Sequence, residues 1–301
     1  GQPLASRPAE GTYLDQLLRN RDGRSFENVT SAARLVEDDY SQGLAIGDVN
    51  SDGFVDVVVA NVGRNRLFLN QGDGTFVDAT QAWGLDAVEM SSSAALADLD
   101  HDGHLDLYIV NYVDGFRVCR DTQGNISTCS PQNFLGVPDR LYRNNGQGGW
   151  EDVTQSSGVL AENGKGLGVV ISDLDDDGWE DIYVANDSTP NFLFQNLGGM
   201  RFRELGLSSG AALSDEGQAQ AGMGIAAADL NGDQRTDLFV TNYYLETNNL
   251  YENQGALSFV DQAGRSGLAT PSKNMLGFGT QAEDLDADGW PDLFVANGHI
   301  D

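Results

Sequence analysis

Hydrophobic positions along this chain come in short, strand-length runs separated by clusters of Gly, Asn and Asp. Five of the runs share one form: DVVVAN at 56–61, DLYIVN at 106–111, DIYVAN at 181–186, DLFVTN at 237–242 and DLFVAN at 292–297. They are rich in β-branched and aromatic residues and bounded by turn formers, which predicts strands. A second apolar segment precedes each of them: GLAIG from Gly43, AALA from Ala94, GVVIS from Gly168, GIAAA from Gly224 and GFGTQAE from Gly277. A third follows four of them, ending in Asn70, Asn144, Asn196 and Asn253. After a Gly-containing turn comes a short fourth: TFVDAT, GWEDVT, RFREL or SFVDQA. Four short strands per unit, several times over, is the pattern of a β-propeller blade.

The units fall at about 41–80, 91–154, 165–206 and 222–263, and 277–301 supplies the first two strands of another. Residues 17–30, LLRNRDGRSFENVT, match 67–80, LFLNQGDGTFVDAT, so the segment 14–30 supplies the last two strands of a unit. The expected fold is all-β, one propeller domain over 1–301. It has four whole blades and a fifth closed by N- and C-terminal halves, which leaves no open sheet edge. The alternative is part of a seven-bladed propeller.

Between the first and second strand of every unit lies an acidic loop: DVNSDGFVD at 48–56, DLDHDGHLD at 98–106, DLDDDGWED at 173–181, DLNGDQRTD at 229–237 and DLDADGWPD at 284–292. The spacing brings side-chain oxygens at positions 1, 3, 5 and 9 to one point, with a backbone carbonyl from position 7. That is a hard-cation cage, and Ca²⁺ fits it better than Mg²⁺ or Zn²⁺. The candidate ligands are Asp48, Asn50, Asp52, Phe54 and Asp56; Asp98, Asp100, Asp102, His104 and Asp106; Asp173, Asp175, Asp177, Trp179 and Asp181; Asp229, Asn231, Asp233, Arg235 and Asp237; and Asp284, Asp286, Asp288, Trp290 and Asp292. Phe54, His104, Trp179, Arg235 and Trp290 enter through their carbonyls alone. The loops read as up to five structural Ca²⁺ sites rather than catalytic ones. Loop four departs from the rule, with Gln234 where the others have Gly at the bend. A non-Gly residue there costs about 1 kcal/mol, so this site is expected to be the weakest.

Charge sharpens the picture. With 17 Lys+Arg against 46 Asp+Glu the formal charge is −29. That excludes nucleic acid as the default partner and disfavours an anionic membrane face; no run is long enough for insertion into a bilayer. Unneutralised, each acidic loop repels itself.

The second unit carries an insertion at about 113–137 that holds Cys119 and Cys129. Its polar, loop-like sequence favours a disulfide and an oxidising compartment over two buried thiols. The insertion reads equally as a partner-contacting loop or as a flap over a blade edge. Trp83 and Trp150 read as core. Trp179 and Trp290 read as packing over their loops, with a sugar platform as the lesser reading. His101 and His104 read as solvent-facing and His299 as structural. GKGLG at 164–168 lacks phosphate-loop spacing and leads into a strand, so it is no phosphate site. No nucleophile elbow or metalloprotease motif occurs, and a non-enzymatic role is expected.

The units GLAIGDVNSDGFVDVVVAN and GIAAADLNGDQRTDLFVTN resemble FG-GAP/VCBS repeats, the calcium-loop blades also found in integrin α-subunit propellers. CSPQNFLGVPDRLYRNNG at 129–146, YVANDSTPNFLFQN at 183–196, MGIAAADLNGD from Met223 and the terminal DLFVANGHI are similar to the cartilage acidic protein / ASPIC-UnbV family. The resemblance covers nearly the whole chain. It implies a secreted, periplasmic or cell-surface propeller with calcium in its loops, working in adhesion or protein–protein binding, alone or as a subunit of a surface assembly. The alternative reading is a carbohydrate-binding or polysaccharide-acting protein. The implied partners are proteins, or glycans on the alternative.

Overall fold

The computed structural model describes residues 15–298 apart from 38, 116, 121 and 128. Four antiparallel units of four strands each follow one another in chain order. Blade one is Tyr40–Gly47, Asp56–Arg64, Arg66–Asn70 and Phe76–Asp78; blade two is Val88–Ala97, Asp106–Asn111, Arg140–Asn144 and Trp150–Asp152. Blade three is Gly166–Ser172, Asp181–Asn186, Phe192–Asn196 and Phe202–Glu204; blade four is Ile225–Ala228, Asp237–Val240, Asn249–Asn253 and Phe259–Asp261. Blades three and four are separate four-stranded sheets. Blades one and two fuse into one sheet of eight, because the second strand of blade one runs on to Arg64 and pairs with the long first strand of blade two (Val62 with Met90, Arg64 with Val88).

The core lies between blades. Leu99, Tyr108, Val110 and Leu141 of blade two meet Ile182, Val184, Phe194 and Phe202 of blade three. Tyr183, Ala185 and Leu193 of blade three meet Leu238, Val240, Tyr251 and Phe259 of blade four in the same way. Trp83 and Trp150, expected in the core, are buried edge-to-face with centroids 5.1 Å apart. The fourth strands of blades two to four lead into single helical turns, Thr154–Ser157, Gly206–Ser209 and Ala263–Ser266. Each ends on a left-handed glycine, Gly158, Gly210 or Gly267. A Cβ on Gly210 would lie 2.4 Å from the Phe259 carbonyl oxygen of the next blade. These turns set the blade-to-blade step, and alternation-based strand reading passes over them.

The expected composite blade does not form as one sheet. Among the described residues Leu18–Asn20 pairs only with Phe26–Asn28, and Gly277–Glu283 only with Asp292–Asn297. Backbone runs against backbone at the blade contacts: a Cβ on Gly168 would sit 2.3 Å from the Met223 carbonyl oxygen, and one on Gly224 2.1 Å from that of Phe278. The two half-blades do not meet in a shared ladder among the described residues. Phe294 is accordingly 63% exposed where its counterparts Phe239 and Tyr183 are buried, and Phe26 is 67% exposed where Phe76 is buried.

Cys119 and Cys129 form the disulfide that the sequence favoured. It closes a small hairpin, Cys119–Arg120 with Ile126–Ser127. The base of the insertion is tied to blade two, where the Val137 N–H donates to the Tyr112 carbonyl and the Asp114 N–H to that of Leu135. GKGLG has its use here. A Cβ on Gly136 would lie 1.9 Å from the Gly164 carbonyl oxygen, so the insertion rests backbone to backbone on blade three. Replacing Gly136 by Ala is expected to lever the insertion off and cost about 2 kcal/mol. Limited proteolysis checks this, with first cleavage expected within 117–130 in the variant and no such preference in the parent.

Candidate metal centres in the blade loops

Each acidic loop is a tight bend with two left-handed residues, where sequence reasoning saw one. Position 6 has φ of 88–90° at Gly103 and Gly178, and position 4 has φ of 58–59° at His101 and Asp176. Loop four has its glycine at position 4, Gly232, and leaves Gln234 at φ 68° in the bend, the strained arrangement expected there.

The first Asp folds the loop. Asp98 Oδ1 accepts the Asp102 N–H at 3.0 Å and Oδ2 that of Gly103 at 2.9 Å. Asp48, Asp173, Asp229 and Asp284 accept the N–H groups at positions 5 and 6 in the same way. The position-5 Asp then accepts the position-7 N–H, as Asp177 does from Trp179 at 2.9 Å.

The last Asp of the loop does more than close a cage. Asp106 is fully buried, and its oxygens accept the N–H groups of Leu99 (3.0 Å) and Asn144 (2.8 Å). Asp181 holds Leu174 and Asn196, and Asp237 holds Leu230 and Asn253, in the same geometry. Burial pushes the Asp106 and Asp181 carboxyls up to about 7, against the pull of those two N–H groups. The same cause raises Asp56 and Asp237.

Sequence reading took the Asn at the end of each third strand as a turn residue. In blades two to four the structure makes it a strut between blades. Asn144 Nδ2 donates to the Val49 carbonyl of loop one at 2.8 Å, Asn196 to the Leu99 carbonyl of loop two at 2.9 Å, and Asn253 to the Leu174 carbonyl of loop three at 2.8 Å. Each strut carries its N–H to the last Asp of its own loop. One hydrogen-bond chain therefore runs through loops one to four.

Carboxylate oxygens converge at three loops. One oxygen each from Asp98, Asp100 and Asp106 lies within 4.8 Å of the others; so do Asp173, Asp175 and Asp181, and Asp284, Asp286 and Asp292. Loops one and four have Asn50 and Asn231 at position 3 and so bring two carboxylates to this point. The donor set fits a hard cation. It is all oxygen, and the Oδ1 atoms of Asp100 and Asp175 are buried with no hydrogen-bond partner. A buried acceptor without a donor costs free energy that a cation would recover.

The five position-7 residues are fixed by their N–H groups and cover their neighbourhood with side chains. Phe54 lies on Gly72, His104 on Gly146 and Trp179 on Gly198, each at the turn between strands three and four of its own blade. Trp290 lies over Gly232 of the preceding loop. Trp179 also stacks on His101 with centroids 4.2 Å apart and planes 12° apart, while His101 Nε2 meets Glu180 at 3.1 Å. His101 is thus engaged rather than simply solvent-facing, and Trp179 packs over its loops as expected. Trp290 remains 55% exposed. His299 lies outside the described residues. No helix among the described residues is long and apolar enough to cross a membrane.

Third-strand residues reach into the loops with different charge. Arg143 Nε donates to Asp100 Oδ2 at 2.6 Å and its Nη2 meets Asp102 Oδ2 at 3.0 Å. At the matching place in loop three, Gln195 Nε2 donates to Asp175 Oδ2 at 2.9 Å. In loop four Arg235 of the loop itself pairs with Asp233.

Cartilage acidic protein 1 of Xenopus tropicalis is 27% identical over 170 residues, covering 54% of this chain and 25% of that protein. The Homo sapiens protein is 34% identical over 92 residues, covering 31% of this chain and 13% of its own. The chain thus spans about a quarter or less of the curated relatives it matches. Among solved structures, an Agrocybe aegerita lectin described as recognising non-reducing terminal N-acetylglucosamine aligns over 85% of this chain and 74% of its own at 17% identity, TM-score 0.33. The V. cholerae biofilm matrix protein Bap1 aligns over 74% and 39% at 19% identity, TM-score 0.37. Both scores are too low to add support. The FG-GAP-like repeat profile matches residues 48–109, 128–184, 173–240 and 229–295, each stretch opening on or containing an acidic loop. With most of its length matched by that profile, the chain belongs to the FG-GAP-like repeat family.

Proposed function

We propose that this chain is a calcium-stabilised propeller segment that serves as a non-enzymatic interaction or adhesion module in an oxidising, extracellular or periplasmic setting. The observation that carries the reading is the pair of buried, partnerless oxygens, Asp100 Oδ1 and Asp175 Oδ1, each beside two further carboxylates. Calcium would be held by positions 1, 3 and 9 of loops two, three and five, with position 5 beside them. Loops one and four, with Asn at position 3, are weaker sites. The ion supplies charge: it relieves the mutual repulsion of each acidic loop and locks the strand turn. The carboxylates of these loops are tied to backbone amides and strand ends, which suits a structural ion. The Cys119–Cys129 bridge supports the compartment, and family membership supports interaction with a protein or glycan partner.

Calcium content after dialysis tests the metal half. About three tightly held ions per chain are expected, and a chain that retains none contradicts the reading. Affinity capture of extracellular proteins in calcium and in EDTA, run beside a glycan array, tests the partner half. Calcium-dependent protein capture with a blank array is the expected result; the reverse would move the reading to a sugar-binding module.

A further inference from the structure

Loops two and three share the same four acidic ligand positions and differ in the charge around them. Both present Asp at positions 1, 3, 5 and 9. In loop three the neighbour on the third strand is the neutral Gln195, and the loop carries two more acids, Asp176 and Glu180. In loop two the neighbour is Arg143, whose guanidinium bridges Oδ2 of Asp100 and Oδ2 of Asp102. The Asp100 side chain is only 7% exposed, so this ion pair is half-buried and weakly screened. Its other oxygen, Oδ1, is buried with no hydrogen-bond partner, and one oxygen of Asp100 lies within 4.8 Å of oxygens of Asp98 and Asp106. Arg143 thus neutralises part of the cluster from behind and leaves the cation side of the cage intact.

We propose, on the calcium reading above, that Arg143 is a built-in counter-cation that makes the sites unequal: loop three fills first, and loop two fills only at higher calcium. In the metal-free chain Arg143 takes over part of the charge neutralisation that calcium supplies elsewhere, so loop two stays folded when calcium is scarce. On filling, the guanidinium has somewhere to go. It borders a groove of about 360 Å³ lined by Glu151, Met200 and Arg201, and Arg143 is 43% exposed. Glu151 lies opposite Arg143 on the adjacent strand and offers it an alternative partner. Loop two also touches its neighbours: Ser51 of loop one meets His104, and His101 stacks on Trp179 of loop three. Its occupancy is therefore placed to stiffen the contact between blades over a chosen calcium range.

Reciprocal substitutions test this in the full chain, with calcium titrated by calorimetry and melting followed in EDTA. Arg143→Gln is expected to tighten one site about tenfold, and Gln195→Arg to weaken one about tenfold, since each changes the cage by one near charge. Saturating calcium content should not change. In EDTA, Arg143→Gln should melt lower than the parent and Gln195→Arg no lower. Wild-type affinities in both variants would overturn the proposal. A parent chain that takes up no calcium would instead remove the calcium reading and the proposal with it. A drop in EDTA melting of Arg143→Gln without calcium uptake would leave Arg143 an ordinary ion pair.

Discussion

Millimolar calcium at pH 8 is expected to raise the melting temperature of the EDTA-treated chain by about 15 °C, and the gain should shrink to a few degrees at pH 5. Three sites, averaging near a hundredfold excess over their dissociation constants, contribute about 8 kcal/mol together. A domain of this size gains about 2 °C per kcal/mol. The pH dependence follows from where the carboxyls sit. Asp106 and Asp181 are fully buried and titrate at about 7 instead of near 4 when no metal is present. Their raised folded values mean that metal-free stability is fully present below pH 4 and is lost as pH rises through 7. The EDTA curve should therefore rise on going from pH 8 to pH 5, opposite to the usual behaviour of ion-paired carboxylates. With calcium the ionised form is the ligand form, so the calcium-dependent gain grows with pH. Asp139 also titrates at about 7 by burial, while accepting from Asn111 and Tyr108. It lies outside the acidic loops, so its share of the loss persists in calcium. Thermal melts at the two pH values, with and without calcium, check both signs. Equal melting temperatures with and without calcium at pH 8 would contradict the structural role of the ion.

The repeat and the strand-turn-strand order were legible because they depend on local spacing. Alternating Val, Ile and aromatic residues bounded by Asn and Gly can form little else, and five loops in register leave the bend no other reading. The disulfide was legible from its polar context. Features set by neighbouring blades were not. Nothing local in LYRN or FLFQN says that Asn144 and Asn196 reach the preceding loop, because the acceptor is some ninety-five residues away in sequence. The last Asp of each loop was read as a ligand alone, whereas in loops one to four burial and two amides also make it the anchor of the third strand. The joining of the two half-blades was inferred from sequence matching, which is blind to the blade step. Blade contacts involve close glycine approaches such as Gly168 on Met223 and Gly224 on Phe278, and the half-blades lie in separate sheets. Only the fold shows that Arg143 faces the acids of loop two.

The strut asparagines make the second large prediction. Asn196 is fully buried, and Nδ2 donates to the Leu99 carbonyl at 2.9 Å and the Glu180 carbonyl at 3.1 Å, while Oδ1 accepts the Gly198 N–H at 3.0 Å. Leu fills a similar volume and offers none of these bonds. Asn196→Leu leaves two buried carbonyls without that donor and a turn without its acceptor, a cost of about 4 kcal/mol. Asn70 occupies the same place in blade one but reaches only the Val55 carbonyl of its own loop, at 3.0 Å, in a more open setting. Asn70→Leu should cost about 1 kcal/mol. Because the strut acts between backbone groups, the Asn196 penalty should appear in EDTA as well as in calcium, unlike the loss from Asp175→Asn, which should show only with calcium present. Denaturant unfolding of the three variants in both conditions separates the two roles. Similar costs for Asn196→Leu and Asn70→Leu would mean that the bond to the preceding blade adds nothing, and that apolar packing alone holds neighbouring blades together.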